Sequence, residues 1–320
     1  MTDAAFKYVF GPVLSRRLGR SLGVDVVPFK TCTYNCIYCQ LGETTNHTLD
    51  IRSYVPLENV LDEIRRKLEA GVAADYITIA GSGEPTLYAE LGRLIAGIKG
   101  MTSIPVAVLT NGGLLWKREV QDALLAADVV IPSLDAGNAD SFAEVNRPRA
   151  EITFEKMVEG LVAFRRRYTG QLWLEVFLLH GVTDSEAAIA ELARSVERIC
   201  PDRVQLNTVA RPAPGAAGKP CLPVSREDME QIGSRLGFNA EVIAHYETTR
   251  HAATASGQPE DLWAMIQRHP CSIEDFTVGL GLSEDDARRH IQRLLEQGAI
   301  HAEVHNGVTF YLPQTNEHDG

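Results

Sequence analysis

Lys30-Thr31-Cys32-Thr33-Tyr34-Asn35-Cys36-Ile37-Tyr38-Cys39 places three of the chain's six cysteines within eight residues. Thiolates at this spacing on one short loop can turn inward together and bind three corners of a cubane [4Fe–4S] cluster, because soft sulfur ligands suit iron–sulfur centres. The fourth iron is then left without a protein ligand and is open to another molecule. Two other readings stay open at this point. Zinc would take four ligands in fixed spacing, and the nearest further donor, His47, belongs to no recognisable pair. A disulfide would require an oxidising compartment.

Composition narrows the choice. A chain of 320 residues, 45% hydrophobic and 23% charged, is that of an ordinary globular protein with room for one large domain and a small one. The longest apolar run, 172–182, carries Glu175 and falls short of the about 20 residues that a membrane-spanning helix needs. Residues 1–10 show no basic region followed by an apolar stretch. The expectation is a cytoplasmic protein without membrane contact, whose thiols stay reduced; Cys200, Cys221 and Cys271 are too scattered to form a second ligand set. A net charge of −11 argues against general affinity for nucleic acid. The first thirty residues run the other way, with Lys7, Arg16, Arg17, Arg20 and Lys30 against Asp3 and Asp25. Arg16 and Arg17 are therefore candidates to grip a phosphate or carboxylate of a substrate, a solvated basic surface being the plain alternative.

Periodicity gives the architecture. Strands are expected at 24–29, 76–80, 106–110, 129–133, 172–179 and 204–209, followed in turn by helices at 57–70, 91–99, 120–127, 154–167, 185–199 and 226–236. Six such βα units call for a parallel sheet covered by helices, with chemistry at the carboxyl ends of the strands. The exits carry Gly81-Ser82-Gly83-Glu84 after the second strand, Asn111 after the third, and Ser133 and Asp135, two apart and so on one face, after the fourth. Asn207 lies on the sixth strand, and Glu175 on the fifth either points into the barrel or marks an edge.

Cys-x3-Cys-x2-Cys with the aromatic Tyr38 before its last cysteine, in register with Gly81-Ser82-Gly83-Glu84 after the second strand, resembles the signature of the radical S-adenosylmethionine (SAM) superfamily. The resemblance covers about 8–244 and implies a partial (β/α)6 TIM-like barrel. It implies a [4Fe–4S] cluster on Cys32, Cys36 and Cys39, with SAM chelated to the open iron through its amino and carboxylate groups. One electron from the cluster would cleave the sulfonium to a 5′-deoxyadenosyl radical that abstracts hydrogen from the substrate, so that the cofactor carries the hard chemistry. In these terms Tyr38, Gly81, Gly83, Glu84, Asn111, Ser133, Asp135 and Asn207 are cofactor-binding candidates: the glycines and Glu84 for the SAM amino group, Asn111, Ser133 and Asp135 for its ribose and methionine ends, and Asn207 near the adenine. The Gly-Pro-x-x-Ser-Arg-Arg start at 11–17, the loop Asn146-Arg147-Pro148 and the strand Gln205-Leu206-Asn207-Thr208-Val209 are similar to an "iron–sulfur oxidoreductase" branch related to the tRNA wyosine-base synthases. Arg147 would there face a carboxylate or phosphate. The chain departs from the wyosine enzymes in lacking a second cysteine set and any lysine assignable to pyruvate binding.

The segment 210–223, rich in Pro, Gly and Ala, reads as a loop over the barrel mouth, and 245–258 as a polar linker, so the barrel with its N-terminal extension is expected over 1–244. Beyond it, helices at 262–268, 273–280 and 283–297 and strands at 300–304 and 308–312, joined by Asn306-Gly307, resemble a small C-terminal winged helix domain over 259–313, followed by a tail at 314–320. A DNA-reading winged helix presents basic and amide side chains at the start of its third helix. Here that start is Glu284-Asp285-Asp286, and the unit holds nine acids to four arginines, so docking to a protein, to the substrate or to the barrel is expected and duplex DNA is not. The reading is an enzyme that takes electrons from a donor such as flavodoxin or ferredoxin and acts on a macromolecule, tRNA or protein. One alternative is a small phosphorylated or carboxylated metabolite. Another is a cluster-holding redox-sensing regulator, which would need no SAM pocket at the strand ends.

Overall fold

The structure, a computed structural model, describes residues 6–15, 17–213, 221–243, 259–305 and 307–314. Arg16, Asn306, 214–220 of the mouth loop, the linker 245–258 and 315–320 of the tail lie outside the described residues. In chain order the elements are β1 (Val9–Ser15), β2 (Gly19–Val24), β3 (Thr31–Cys32), β4 (Asn46–His47), α1 (Leu57–Glu69), β5 (Tyr76–Ile79), α2 (Leu91–Met101), β6 (Val106–Thr110), α3 (Arg118–Leu124), β7 (Val129–Pro132), α4 (Ala139–Val145) and α5 (Phe154–Arg167). They continue with β8 (Gln171–Leu178), α6 (Glu186–Ile199), β9 (Arg203–Thr208), α7 (Arg226–Leu236), β10 (Glu241–Val242), α8 (Pro259–Ile266), α9 (Ile273–Gly279), α10 (Glu284–Glu296), β11 (Ile300–His305) and β12 (Val308–Pro313).

Among the described residues one eight-stranded sheet runs β1-β2-β5-β6-β7-β8-β9-β10, parallel throughout except for the antiparallel β1–β2 hairpin. It is a partial (β/α)6 barrel. Because side chains alternate across a strand, each strand feeds two cores. Ile77, Ile79, Val106, Val108, Val130, Leu172, Leu174 and Val176 pack with the apolar faces of the helices. Their neighbours Tyr76, Ala107, Leu109, Val129, Ile131 and Trp173 instead surround Leu18, a residue 3% exposed in the tight turn between β1 and β2. The hairpin tip thus plugs one end of the barrel and leaves the carboxyl ends of the strands for chemistry.

The helices follow from capping and amphipathic spacing. Thr153, Ser185 and Ser225 accept backbone N–H bonds at the starts of α5, α6 and α7. Met157, Val158, Leu161 and Phe164 form the buried stripe of α5, whose last turn ends in Arg165, Arg166 and Arg167, cations that complement the macrodipole.

The first parallel strand lies five residues earlier than 24–29. Its ladder ends at Val24, paired with Ile79. Pro28 has no N–H to extend it, and Lys30 at φ 58 turns the chain into the cysteine loop. β1 replaces the expected run of turns; Gly11 at φ +83 makes a bulge within it. β3, β4, β10 and α4 add to the expected elements.

α8, α9, α10 and the β11–β12 hairpin share a second core built on Leu262, Ile266, Phe276, Leu280, Ala287, Ile291 and Ile300. Val13 of β1 packs against it. The Arg268 guanidinium lies 4.2 Å from the Phe10 ring centroid, and Arg211 pairs with Asp275 at 2.6 Å. The C-terminal unit is docked on the barrel's edge strand.

Glycine positions give a direct check on the packing. A Cβ on Gly83 would sit 2.0 Å from the Thr31 carbonyl oxygen, whereas one on Gly100 of α2 would meet nothing within 4 Å. Gly83→Ala should lower the unfolding free energy by about 1–3 kcal/mol. Gly100→Ala should raise it by about 0.5–1 kcal/mol through helix propensity and the unfolded state. Chemical denaturation of both variants checks this; equal effects would show that the turn at Gly83 is not tight.

Candidate functional site

The cysteine loop begins on β3 and returns on β4, a two-residue parallel pair. Within it Cys39 N–H donates to the Cys36 carbonyl at 3.2 Å, and Gly42 N–H to the Cys39 carbonyl at 3.0 Å. The three cysteines are half-buried residues, and each sulfur receives one N–H donor from a different part of the chain. Asn111 Nδ2 reaches Cys32 Sγ at 3.5 Å, Asn146 Nδ2 reaches Cys36 Sγ at 3.6 Å, and Lys30 Nζ reaches Cys39 Sγ at 3.3 Å. Asn111 and Asn146 lie at the exit of β6 and the end of α4, so the loop is tied to the strand ends it must face.

The Gly81–Glu84 turn after β5 lies against this loop. Lys30 N–H donates to Ser82 O at 2.7 Å and Glu84 N–H to Thr31 O at 3.0 Å. Gly81, at φ +145, faces the Asp25 carboxylate so closely that a Cβ would meet it at 2.4 Å. Asp25 in turn accepts from Ser82 N and Oγ at 3.0 and 2.6 Å. Glu84, expected to accept from a ligand ammonium, is met by donors of the chain itself. Its carboxylate is 2% exposed and accepts from Thr86 N, Thr86 Oγ1, Thr110 Oγ1 and Asn111 N at 3.0, 2.5, 2.6 and 2.7 Å. It braces β5 to β6. Asn111, besides its sulfur contact, donates to Thr33 Oγ1 at 2.8 Å and accepts from Gly113 N at 2.9 Å.

The inner face of the barrel carries two further polar groups. Asp135, 3% exposed, accepts from Tyr38 OH at 2.5 Å, Asn146 Nδ2 at 2.7 Å and Phe177 N at 3.1 Å. The Tyr38 ring stacks on Phe177 at 4.1 Å between centroids. One step down β8, Glu175 takes a bidentate bond from Arg17 at 2.6 and 2.9 Å and a third from Asn207 Nδ2 at 2.9 Å. Glu175 therefore points into the barrel. Arg17, expected to meet substrate, and Asn207, expected near the adenine, are both bonded to it. Ser133, partly exposed, pairs its backbone with Glu175 and donates its N–H to Thr110 O at 3.1 Å. Arg147, at φ 45, lines an external groove of about 620 Å³ with Asn35, His47, Phe142, Arg149 and Phe154, beside the cysteine loop.

The sequence pattern of the Radical SAM superfamily matches residues 26–193, more than half of the chain, from just before the cysteine loop into α6. The chain belongs to this superfamily. A UPF0026 protein of Helicobacter pylori (strain J99) is 35% identical over 95% of this chain and 96% of its own length. A Brachyspira hyodysenteriae protein named GTPase Obg is 41% identical over 95% of this chain but 45% of its own, so the chain spans less than half of that relative. The structure of TYW1 with a lysine-pyruvate adduct bound has the same fold, with a TM-score of 0.51 at 20% identity over 72% of this chain and 76% of that one.

Membership of the Radical SAM superfamily implies an enzyme of iron–sulfur and SAM chemistry, and the donor set fits such a cluster. Burial first, then the Glu84 charge, pushes the Cys32 thiol up to about 12; burial, then Asp135 and the other two cysteines, pushes Cys36 well above its usual value. Thiols that resist ionisation in a carboxylate-lined site ionise when a metal cation binds them. No three of the described His, Cys, Asp or Glu side chains close on a single ion, while iron atoms at separate cubane corners take thiols set further apart. Residues missed by sequence reasoning are Lys30, counted there only within a basic run, and Asn146, passed over for its neighbour Arg147. Both lie within motifs already in view, but only burial sets them apart: they are 2% and 1% exposed.

Burial raises the Asp135 carboxyl to about 6 from its ordinary 3.8, against the opposing hydrogen bonds of Tyr38 and Asn146. Between those values the folded chain holds a proton that the unfolded chain releases, so this stabilisation is full below about pH 4 and is lost as pH rises through 6. The loss amounts to about 3 kcal/mol. In the metal-free protein, the unfolding free energy of wild type minus that of Asp135→Asn should fall by about that amount between pH 4 and pH 7. A difference that stays flat would mean that Asp135 titrates normally.

Proposed function

We propose that Cys32, Cys36 and Cys39 hold a [4Fe–4S] cluster and that the strand ends around them bind SAM. The observation that carries this reading is the delivery of one N–H donor to each sulfur from the exit of β6, the end of α4 and the start of the loop itself. Bound there, the cluster and SAM would supply a 5′-deoxyadenosyl radical for hydrogen abstraction. The chain's own part is to place and shield them. The Gly81–Gly83 backbone accommodates the amino group at the methionine end, because glycine lets main chain approach closely, and Glu84 holds that turn in place. Tyr38, fixed by Asp135 and Phe177, forms the polar and aromatic wall opposite, with Ser133 at its margin. Arg17 and Asn207 act through Glu175, fixing one charge deep in the barrel.

A regulator that merely senses redox state is the weaker reading. The polar constellation of Tyr38, Asp135 and Asn146 next to the sulfurs has no purpose in a sensor. The C-terminal unit also keeps Glu284 and Asp286 paired with Arg288 and Arg289 at the start of α10, which leaves those arginines bound to their own helix.

Anaerobic reconstitution should give about four irons per chain and, with dithionite and SAM, release of 5′-deoxyadenosine. Cys36→Ala should abolish both, and Cys200→Ala, at the exposed end of α6, neither. Retention of full iron by Cys36→Ala, or intact SAM after reduction of the wild-type protein, would overturn the reading.

The substrate we infer is a macromolecule, tRNA or protein. What supports this is the open groove beside the cysteine loop, lined by His47, Arg147 and Arg149, whose two arginines could meet phosphates of a large substrate. Bulk tRNA should bind with an affinity that falls steeply as salt rises, in proportion to the phosphates contacted, and Arg147→Gln should flatten that slope by about one contact. Salt-insensitive or absent binding of bulk tRNA would move the inference to a protein substrate.

A further inference from the structure

We propose that Lys30 sets the reduction potential of the cluster by placing a buried positive charge on one of its three cysteines; this rests on the reading of Cys32, Cys36 and Cys39 as cluster ligands. Lys30 is 2% exposed, rare for a lysine without a charged partner. The chain takes φ 58 there, and its backbone is clamped on both sides: N–H to Ser82 O at 2.7 Å, and O accepting from Asn46 N–H at 3.1 Å. The side chain is thereby directed inward. Its ammonium donates to the Gly42 carbonyl and, at 3.3 Å, to Cys39 Sγ. No described carboxylate lies within ion-pair distance of it.

An ammonium taken out of water without a counter-charge is strongly unfavourable. The negative charge that Lys30 faces is that of the Cys39 thiolate and the cluster attached to it. The other two sulfurs receive neutral amide donors, from Asn111 and Asn146, so one corner of the site is charge-assisted and two are not. Iron–sulfur potentials follow net charge, hydrogen bonds to sulfur and solvent exposure. When one electron enters from an external one-electron donor the cluster becomes more negative, no bond is made or broken at Lys30, and a fixed cation 3.3 Å from a ligand sulfur favours the reduced state. Lys30 thus makes the cluster easier to reduce than the amides alone would.

The test is a mediated dithionite titration of the reconstituted protein followed by electron paramagnetic resonance, with iron content measured on each sample, for Lys30→Gln, Lys30→Met and Lys30→Arg. Gln and Met should lower the ratio of reduced to oxidised cluster at a fixed potential at least tenfold, 59 mV for a one-electron couple, while Arg stays within threefold of wild type. A Gln variant with full iron and the wild-type midpoint would overturn the proposal, since a neutral donor would then suffice. Loss of iron from all three variants, Arg included, would overturn it in favour of a purely structural clamp on the Gly42 turn. Failure of the ligand reading itself is separate and shows as iron retained by Cys36→Ala.

Discussion

Two backbone hydrogen bonds hold the site together: Lys30 N–H to Ser82 O, and Glu84 N–H to Thr31 O. They lie on either side of Gly83, whose missing Cβ lets the turn after β5 rest on the residue before the first cysteine. Cys32 is thereby registered against the sheet and not left on a free loop. Glu84 extends the lacing to a third strand, since its carboxylate gathers donors from Thr86, Thr110 and Asn111. Hydrogen bonds to a charged acceptor contribute about 1.5–3 kcal/mol each, so this one side chain fixes where Asn111 meets the Cys32 sulfur. The identity of the metal ligands and the shape of the pocket around them are one constraint.

The architecture was legible because parallel strands buried on both faces read as continuous apolar runs bounded by helices. The strands at 76, 106, 129, 172 and 204 appear within a residue of expectation. The first does not, and the cause is specific: Val24, Val26 and Val27 keep an apolar pattern beyond the point where the ladder stops, and all three are buried, but only Val24 is paired. β1 was hidden because Gly11-Pro12, which bulges within a strand, reads locally as a turn. Side-chain roles were less legible than positions. Glu84 and Asn207 stand at the end and inner face of the barrel, as their spacing suggests, yet each, like Arg17 of the N-terminal basic run, is bonded to a partner 26 to 158 residues away. Spacing along a strand says which end a residue occupies and nothing about which distant group competes for it.

Three of the described carboxylates near the cysteine loop and the inner face are each compensated differently. Glu84 is met by neutral hydroxyl and amide donors, Glu175 by the guanidinium of Arg17 with 14% of each side chain exposed, and Asp135 by a phenol, an amide and a backbone N–H. Burial raises both carboxyls that lack a cation, Glu84 and Asp135, the latter to about 6. Burial first, then the charges of Glu84 and Asp135, raises the Cys32 and Cys36 thiols. Cations, whether iron or the Lys30 ammonium already beside Cys39, are what such a site favours, so the anionic lining that disfavours free thiolates also favours the binding of metal to them.

The same accounting reaches the C-terminal unit. Asp25, 8% exposed, supports the Gly81 turn through Ser82, and burial raises its carboxyl. The Arg268 guanidinium, at the C-terminal end of α8, approaches it to 4.0 Å; burial pulls Arg268 down while Asp25 and Glu63 hold its charge in place. Removing one member of a mostly buried ion pair leaves the other desolvated and uncompensated, a larger cost than the pair ever returns as stability. The three helices and hairpin thus bring a cation to a charge that belongs to the barrel's turn. That guanidinium is held by a core that Val13 of β1 helps to close, and the Arg211–Asp275 pair ties the same unit to the barrel a second time.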